Sequence, residues 1–175
     1  MIEIKAALHQ WIETCFEGFH HTSPVWIFLS DKVFDSQEET EIMTRFSKFF
    51  AGWNAHGHPL QAKVGIWQGR VLMIAADEEE NRASGCSIDK LIHQIQDLEA
   101  SYNCRLLDRT LIGLAVDNEL TVWSQTDLKE KIIAGEIGPD AQILLINAAT
   151  IAAARQKVMS KISHSFLSQY LPERV

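Results

Sequence analysis

The sequence has few cysteines, a shortage of basic residues and no long hydrophobic run. Its three cysteines, Cys15, Cys86 and Cys104, form no CxxC pair, which argues against a disulfide framework and against a four-cysteine zinc site. The 16 lysines and arginines stand against 23 aspartates and glutamates, for a formal net charge of −7. This balance disfavours nucleic acid as a partner. Because no apolar run approaches the ~20 residues of a membrane span, we expect no membrane partner either.

The composition is that of a folded domain. Of the 175 residues, 46% are hydrophobic, 9% aromatic and 22% charged, which is enough apolar material for a sizeable core. The first five residues alternate apolar and charged side chains, unlike the basic start and unbroken apolar stretch of a secretory signal. With the unpaired cysteines, this predicts a single domain, residues 1–175, in the reducing cytoplasm.

Hydrophobic periodicity predicts alternating helices and strands. Ser36 and Glu39 have the spacing of a capping box, and Ser84 or Ser87 is placed to cap a later helix. β-branched and aromatic residues mark the strands, and Gly69 marks the turn of a tight hairpin. The predicted helices are residues 3–18, 36–53 and 84–102. The predicted strands are residues 25–29, 64–67, 71–76, 111–116 and 120–123.

The order of these elements predicts the fold class. Strand, helix, strand, strand, helix, strand is the order of a ferredoxin-like βαββαβ core with an antiparallel sheet, here in residues 25–123 with an extra hairpin strand. Residues 1–20 would form an N-terminal helix and residues 124–175 a C-terminal helical extension. Within that extension we predict a short helix, a short strand and a long amphipathic helix over residues 150–170. The class is therefore α+β.

This topology predicts a functional site at one end of the sheet. The loop before the first strand, the loop before the second strand and the start of the second core helix would meet there. A helix N-terminus favours an anion or a stabilised thiolate, and Gly57 and Gly85 would let a ligand approach the backbone closely. The ionisable and polar candidates at this end are His20, His21, His56, His58, Cys86, Ser87 and Asp89.

Each candidate also has an ordinary structural interpretation. Cys86 could be a small buried residue that only packs, and His56 and His58 could cap a helix C-terminus. Ser87 could be a helix cap, and Asp89 could complement the helix dipole. His56, His58 and Cys86 are suitable ligand types for zinc, but their spacing does not match a known zinc signature. We therefore predict no metal site and no cofactor.

Two stretches, residues 53–60 and 84–90, carry the motifs W-x-A-H-G-x-P-L and S-G-C-S-I-D. They resemble the signature stretches of a family of small uncharacterised bacterial proteins, and the resemblance extends from residue 25 to the tail. Some members are labelled as the ATPase of an ABC transporter, but this sequence has no G-x-x-x-x-G-K-[ST] loop to hold phosphates, so we expect no ATPase activity. The resemblance implies as family features His56, Gly57, Pro59, Gly85, Cys86, Ser87 and Asp89, with His58 at a variable position.

Two functions remain in competition. The first is a non-catalytic binding domain that holds a small anion or the acidic terminus of a protein partner near His56 and Cys86. The second is a thiol-dependent enzyme with Cys86 as nucleophile, His56 as general base and Ser87 or backbone amides stabilising an oxyanion. The amphipathic terminal helices leave a homo-oligomer open. We expect binding rather than catalysis, because a free cysteine is seldom a nucleophile.

Overall fold

The computed structural model describes residues 3–77 and 82–172. The helices of these residues are α1 (Ile4–Cys15), α2 (Ser36–Ala51), α3 (Gly85–Tyr102), α4 (Gln125–Ile133) and α5 (Ile151–Lys157). The strands are β1 (Val25–Leu29), β2 (Asn54–Ala55), β3 (His58–Pro59), β4 (Gln61–Trp67), β5 (Val71–Asp77), β6 (Leu111–Val116), β7 (Glu119–Ser124), β8 (Gln142–Leu144) and β9 (Met159–Lys161). Two 3₁₀ helices, Ile162–His164 and Phe166–Tyr170, follow β9. The α+β class is confirmed.

The first sheet has the strand order β1-β5-β4, with both pairs antiparallel. β1 and β4 therefore run in the same direction with β5 between them, and α2 connects them. This is the split βαβ arrangement. Helices α2 and α3 pack on one face of the sheet, where Phe28 of β1 and Leu72 of β5 contribute to their shared core.

The second sheet has the order β7-β6-β8-β9. A ferredoxin-like sheet would place β6 beside β1, but β6 pairs with β7 on one side and β8 on the other. The outer edge of β1 is used differently, because the Val25 N–H donates to the Ala149 carbonyl (3.1 Å) and Pro24 bridges to Thr150. The ferredoxin-like core is thus not confirmed, because β6 pairs within the second sheet and the segment before α5 pairs with the start of β1 instead.

The first sheet is buried on both faces, which explains its nearly continuous apolar strands. In β1, Val25, Ile27 and Leu29 face a core that also contains α1, α5 and part of the second sheet. The alternate residue Phe28 faces α2 and α3. The other face of the second sheet packs against α4 and the 3₁₀ helices. The hydrophobic core therefore consists of three clusters, which lie on the faces of the two sheets.

The predicted helix over residues 150–170 is wrong. Helix α5 ends at Lys157, and β9 then pairs antiparallel with β8. The edge of β8 offers backbone hydrogen-bonding groups, and a strand satisfies them better than a continued helix would. Serines beyond β9 favour turns over helix interiors, and the Ser165 hydroxyl accepts from the Leu167 N–H at 3.2 Å. Among the described residues 124–172, β8 and β9 therefore add two strands to the second sheet beside α4, α5 and the 3₁₀ helices.

The N-cap of α2 lies one residue before Ser36, the residue that the sequence predicted as the cap. Its N-cap is Asp35, whose carboxylate accepts from the N–H groups of Gln37 (2.9 Å) and Glu38 (2.8 Å). The Glu38 carboxylate accepts from the Asp35 N–H in return (3.1 Å). Both D-S-Q-E and S-Q-E-E have capping-box spacing, and the structure uses the first, so the assignment of Ser36 as the cap is wrong.

Candidate functional site

The histidine-containing loop is a tight turn. Strands β2 and β3 form a short antiparallel ladder, and the two residues between them, His56 and Gly57, have positive φ angles of 53° and 84°. Positive φ at both central positions is the requirement of a type I′ turn, which glycine meets easily and histidine at some cost. The turn exposes His56, Gly57 and His58 to solvent.

The first turn of α3 is held by a capping box of two serines. Ser84 is the N-cap, and its hydroxyl accepts from the Ser87 N–H at 3.2 Å. The Ser87 hydroxyl accepts from the Ser84 N–H (2.7 Å) and donates to the Ser84 carbonyl (2.8 Å). Ser87 is only 1% exposed. Its hydroxyl is therefore used inside the turn, and we assign it to the cap rather than to a ligand or an oxyanion.

A buried hydrogen bond connects the turn to the helix. The indole N–H of Trp53 donates to the Ser87 carbonyl at 2.8 Å, and Trp53 is 2% exposed. Trp53 directly precedes β2, so its position determines where the turn lies relative to α3. In the sequence, the one signal for this role of Trp53 is the polar N–H of its indole ring, which usually finds a hydrogen-bond partner when it is buried. The rings within 6.1 Å of Trp53, centre to centre, are those of Trp26, Phe49 and Phe50.

We use the name turn–helix surface for the exposed residues His56, Gly57, His58, Gly85, Cys86 and Asp89. Gly85 and Cys86 are the first two residues of α3, so their N–H groups precede the first intrahelical hydrogen bonds. The positive end of the helix dipole lies here. Asp89 lies three residues after Cys86 and so on the same face of the helix. The surface thus combines two imidazoles, a thiol, a carboxylate and backbone donors.

The three cysteines have different environments. Cys86 is exposed, so its interpretation as a buried packing residue is wrong. Cys104 is buried, and this burial raises the pKa of its thiol above the usual range. Burial likewise raises the pKa of the half-buried Cys15 to about 11, against a smaller opposing effect of Lys63. The Cys15 and Cys104 thiols are therefore protonated at neutral pH.

His20 and His21 lie before β1 and contact each other. Their ring centres are 4.1 Å apart, and His20 Nδ1 is 2.7 Å from the Thr22 hydroxyl. The backbone carbonyl of His21 accepts from the Ala152 N–H of α5 at 2.9 Å. The backbone of His21 therefore contacts α5, and we leave both histidines out of the turn–helix surface.

Within residues 3–77 and 82–172, no three His, Cys, Asp or Glu side chains lie together in a way that could hold a metal ion. In the same part of the chain, every helix is too short or too polar to cross a bilayer.

Comparison of the chain with protein-family models, with curated proteins and with solved structures found no match. The family resemblance of residues 53–60 and 84–90 therefore stays a prediction.

Proposed function

We propose that this protein is a non-catalytic binding domain that holds a small anion, or the acidic terminus of a protein partner, on the turn–helix surface. The observation that carries the proposal is the buried hydrogen bond from Trp53 to the Ser87 carbonyl. A binding surface needs groups held in fixed positions before the ligand arrives. This bond joins the residue before the His56 turn to the first turn of α3, so that exposed donors from two separate segments are connected.

The donors on this surface suit an anion. Helix α3 is 18 residues long, and its first N–H groups and its dipole attract negative charge. We propose that His56 and His58 supply imidazole donors to the same ligand. An added Cβ at Gly57 or Gly85 would meet no atom within 4 Å, so the backbone at both positions is open to a ligand. Asp89 would accept a hydrogen bond from a hydroxyl or N–H group of the ligand rather than contact its negative oxygen.

Titration with inorganic phosphate and with acetate, followed in two-dimensional amide NMR spectra, tests the proposal. We expect saturable shifts at the amides of Gly57, Gly85 and Cys86. Because a hydrogen bond to a charged group contributes about 1.5–3 kcal/mol, His56→Ala should weaken the affinity by about tenfold or more. His93→Ala is the matched control, since His93 is an exposed histidine two turns further along α3. Equal affinities in both variants, or shifts scattered over the molecule, would refute the proposed site.

A second candidate function is a thiol-dependent enzyme with Cys86 as nucleophile and His56 as base. The observation that favours it is the exposure of Cys86 at the N-terminus of α3, whereas Cys15 is half-buried and Cys104 is buried. Peptide-resolved iodoacetamide labelling at pH 7 separates the two functions, with Cys15 and Cys104 as internal controls. If the protein is a thiol-dependent enzyme, His56→Ala should slow the labelling of Cys86 at least tenfold. If the protein is a binding domain, His56→Ala should leave the labelling rate of Cys86 unchanged, and Cys86→Ser should change the affinity for the anion by no more than a few-fold.

The proposal extends to the fold and the location of the protein. We propose that β1, α2, β4, β5 and α3 form a ferredoxin-like unit in which residues 149–150 replace the fourth strand. The split βαβ connection supports this relation. We also propose a cytoplasmic location, which the three free thiols support.

A further inference from the structure

Strand β4 is an edge strand of the first sheet, so one of its two edges has no neighbouring strand in that sheet. It is seven residues long and pairs with β5 along its whole length. Alternate residues of such a strand direct their N–H and C=O groups outward, where they can pair with another strand. Within residues 3–77 and 82–172, no strand pairs with this outer edge.

Two helices form walls on either side of this edge. Helix α1 contributes Trp11, Thr14 and Cys15, and α2 contributes Glu39 and Met43, to a cleft of about 300 Å³. We call this the edge cleft. Its floor consists of three β4 residues, Val64, Gly65 and Ile66.

Gly65 allows α1 to lie close to the strand. A Cβ at this position would come within 2.6 Å of the Trp11 ring and would also overlap the Cys15 sulfur. The α1 wall of the edge cleft is therefore as near to the β4 backbone as a glycine permits. An extended chain laid along β4 would contact the walls and the strand at the same time.

The two walls differ in chemistry. Trp67, on the same side of β4 as Gly65, packs in the core with α1, while Val64 and Ile66 face the core with α2. A strand added to β4 would therefore alternate its side chains between α1 and α2. On the α1 side they would meet Trp11 and the Cys15 thiol, and on the α2 side Met43 and Glu39.

We propose that the edge cleft binds an extended peptide segment of a protein partner as an added β-strand, with apolar residues facing α1 alternating with basic residues facing α2. Of the eight described residues that line the cleft, Glu39 alone is charged. Its carboxylate accepts from the Gly69 backbone, and partial burial raises its pKa. A lysine or arginine of the segment would pack its stem on Met43 and pair its charge with Glu39. Main-chain hydrogen bonds to β4 would supply the rest of the affinity.

A second copy of this chain fits the edge cleft less well. To pair its own β4 here, the copy would bring its own α1 and α2 walls against those already present. A free extended segment has no such walls and can enter between them. This is the reason for assigning the cleft to a peptide rather than to self-association.

Fluorescence anisotropy with two labelled, end-capped heptapeptides tests the assignment. One alternates valine with lysine, and the other alternates valine with glutamate. We expect the lysine peptide to bind the full-length protein at least tenfold more tightly than the glutamate peptide. Glu39→Lys should reverse this preference, while Glu130→Lys, an exposed position on α4 with the same change in charge, should keep it. Circular dichroism and thermal unfolding establish that both variants are folded.

Two N-methylated peptides test the strand pairing itself. N-methylation of alternate residues of the lysine peptide removes the N–H groups on one edge, and at least one of the two methylation registers should abolish binding. Three results would overturn the assignment: no binding of the lysine peptide, equal loss in Glu39→Lys and Glu130→Lys, or full binding of both methylated peptides. If neither peptide binds and sedimentation shows that the protein self-associates with or without peptide, a second copy occupies the edge, and the assignment to a peptide is wrong.

Discussion

Replacement of Trp53 by phenylalanine should release the His56 turn from the start of α3. The change removes the indole donor that lies 2.8 Å from the Ser87 carbonyl and part of a side chain that is 2% exposed. Phenylalanine keeps an aromatic ring in the cluster with Phe49 and Phe50. The variant should therefore fold while its turn and helix lose their polar connection.

The size of the effect follows from the two losses. The hydrogen bond contributes about 1 kcal/mol, because the Ser87 carbonyl keeps its intrahelical donor and is not left unsatisfied. The smaller ring leaves a cavity, and since complete truncation of a buried aromatic costs about 3–5 kcal/mol, a partial truncation adds about 1–2 kcal/mol. The sum is about 2–3 kcal/mol, which for a chain of this length lowers Tm by roughly 4–12 °C.

Urea unfolding measures the total, and hydrogen–deuterium exchange measures its location. We expect residues 54–60 to exchange at least about fivefold faster, since 1 kcal/mol corresponds to roughly that factor. Trp123→Phe is the matched control, because its indole also donates a hydrogen bond, to the Thr121 hydroxyl at 2.9 Å, but on the second sheet. If exchange of residues 54–60 were the same in Trp53→Phe as in Trp123→Phe, the Trp53 bond would not hold the turn, and the basis of the proposed binding surface would fail.

Three further predictions concern packing, capping and pH. Gly65→Ala should lower the free energy of unfolding in urea by about 1–3 kcal/mol because its Cβ would overlap α1. The loss caused by Gly65→Ala should be smaller in a protein that also carries Cys15→Ala. An equal loss in both backgrounds would show that the Cys15 side chain does not cause the overlap. Asp35→Ala should cost about 1 kcal/mol through loss of the α2 cap, whereas Ser36→Ala should be nearly neutral, and the opposite order would refute the cap assignment. Because burial raises the pKa of Cys15 to about 11, the folded state retains this proton more tightly than the unfolded state. The stability it contributes is complete below about pH 9 and is lost as pH rises toward 11, by about 1–2 kcal/mol for this partly exposed group. Cys15→Ala should flatten this part of the pH profile in thermal unfolding, and an unchanged profile would contradict the prediction.

Most elements of the fold could be predicted because their signals are local. The run Val25–Leu29 is apolar on both faces and has turn residues on either side, which is sufficient to locate a buried strand. The turn residues Asp117 and Asn118 have positive φ angles of 50° and 66° and mark the hairpin between β6 and β7. The long helix predicted over residues 150–170 failed because the competing structure, pairing of β9 with β8, depends on residues distant in sequence.

The candidate site could be predicted only in outline. The tight turn at His56 and the helix start at Ser84 have recognisable turn and cap signals. The sequence could not distinguish an exposed Cys86 from a buried one, nor show that the Ser87 hydroxyl is used within its own turn. Those properties depend on which face of α3 packs against the sheet.

The sequence by itself therefore determined the helices and strands with strong local periodicity, the tight turns and the positions of two polar segments. Such features depend on interactions between residues a few positions apart. Only the tertiary structure decided that β6 joins the second sheet, that Trp53 connects the two polar segments, and that β4 is left with an open edge between α1 and α2. These outcomes depend on competition among distant segments for the same backbone hydrogen-bonding groups and the same buried space.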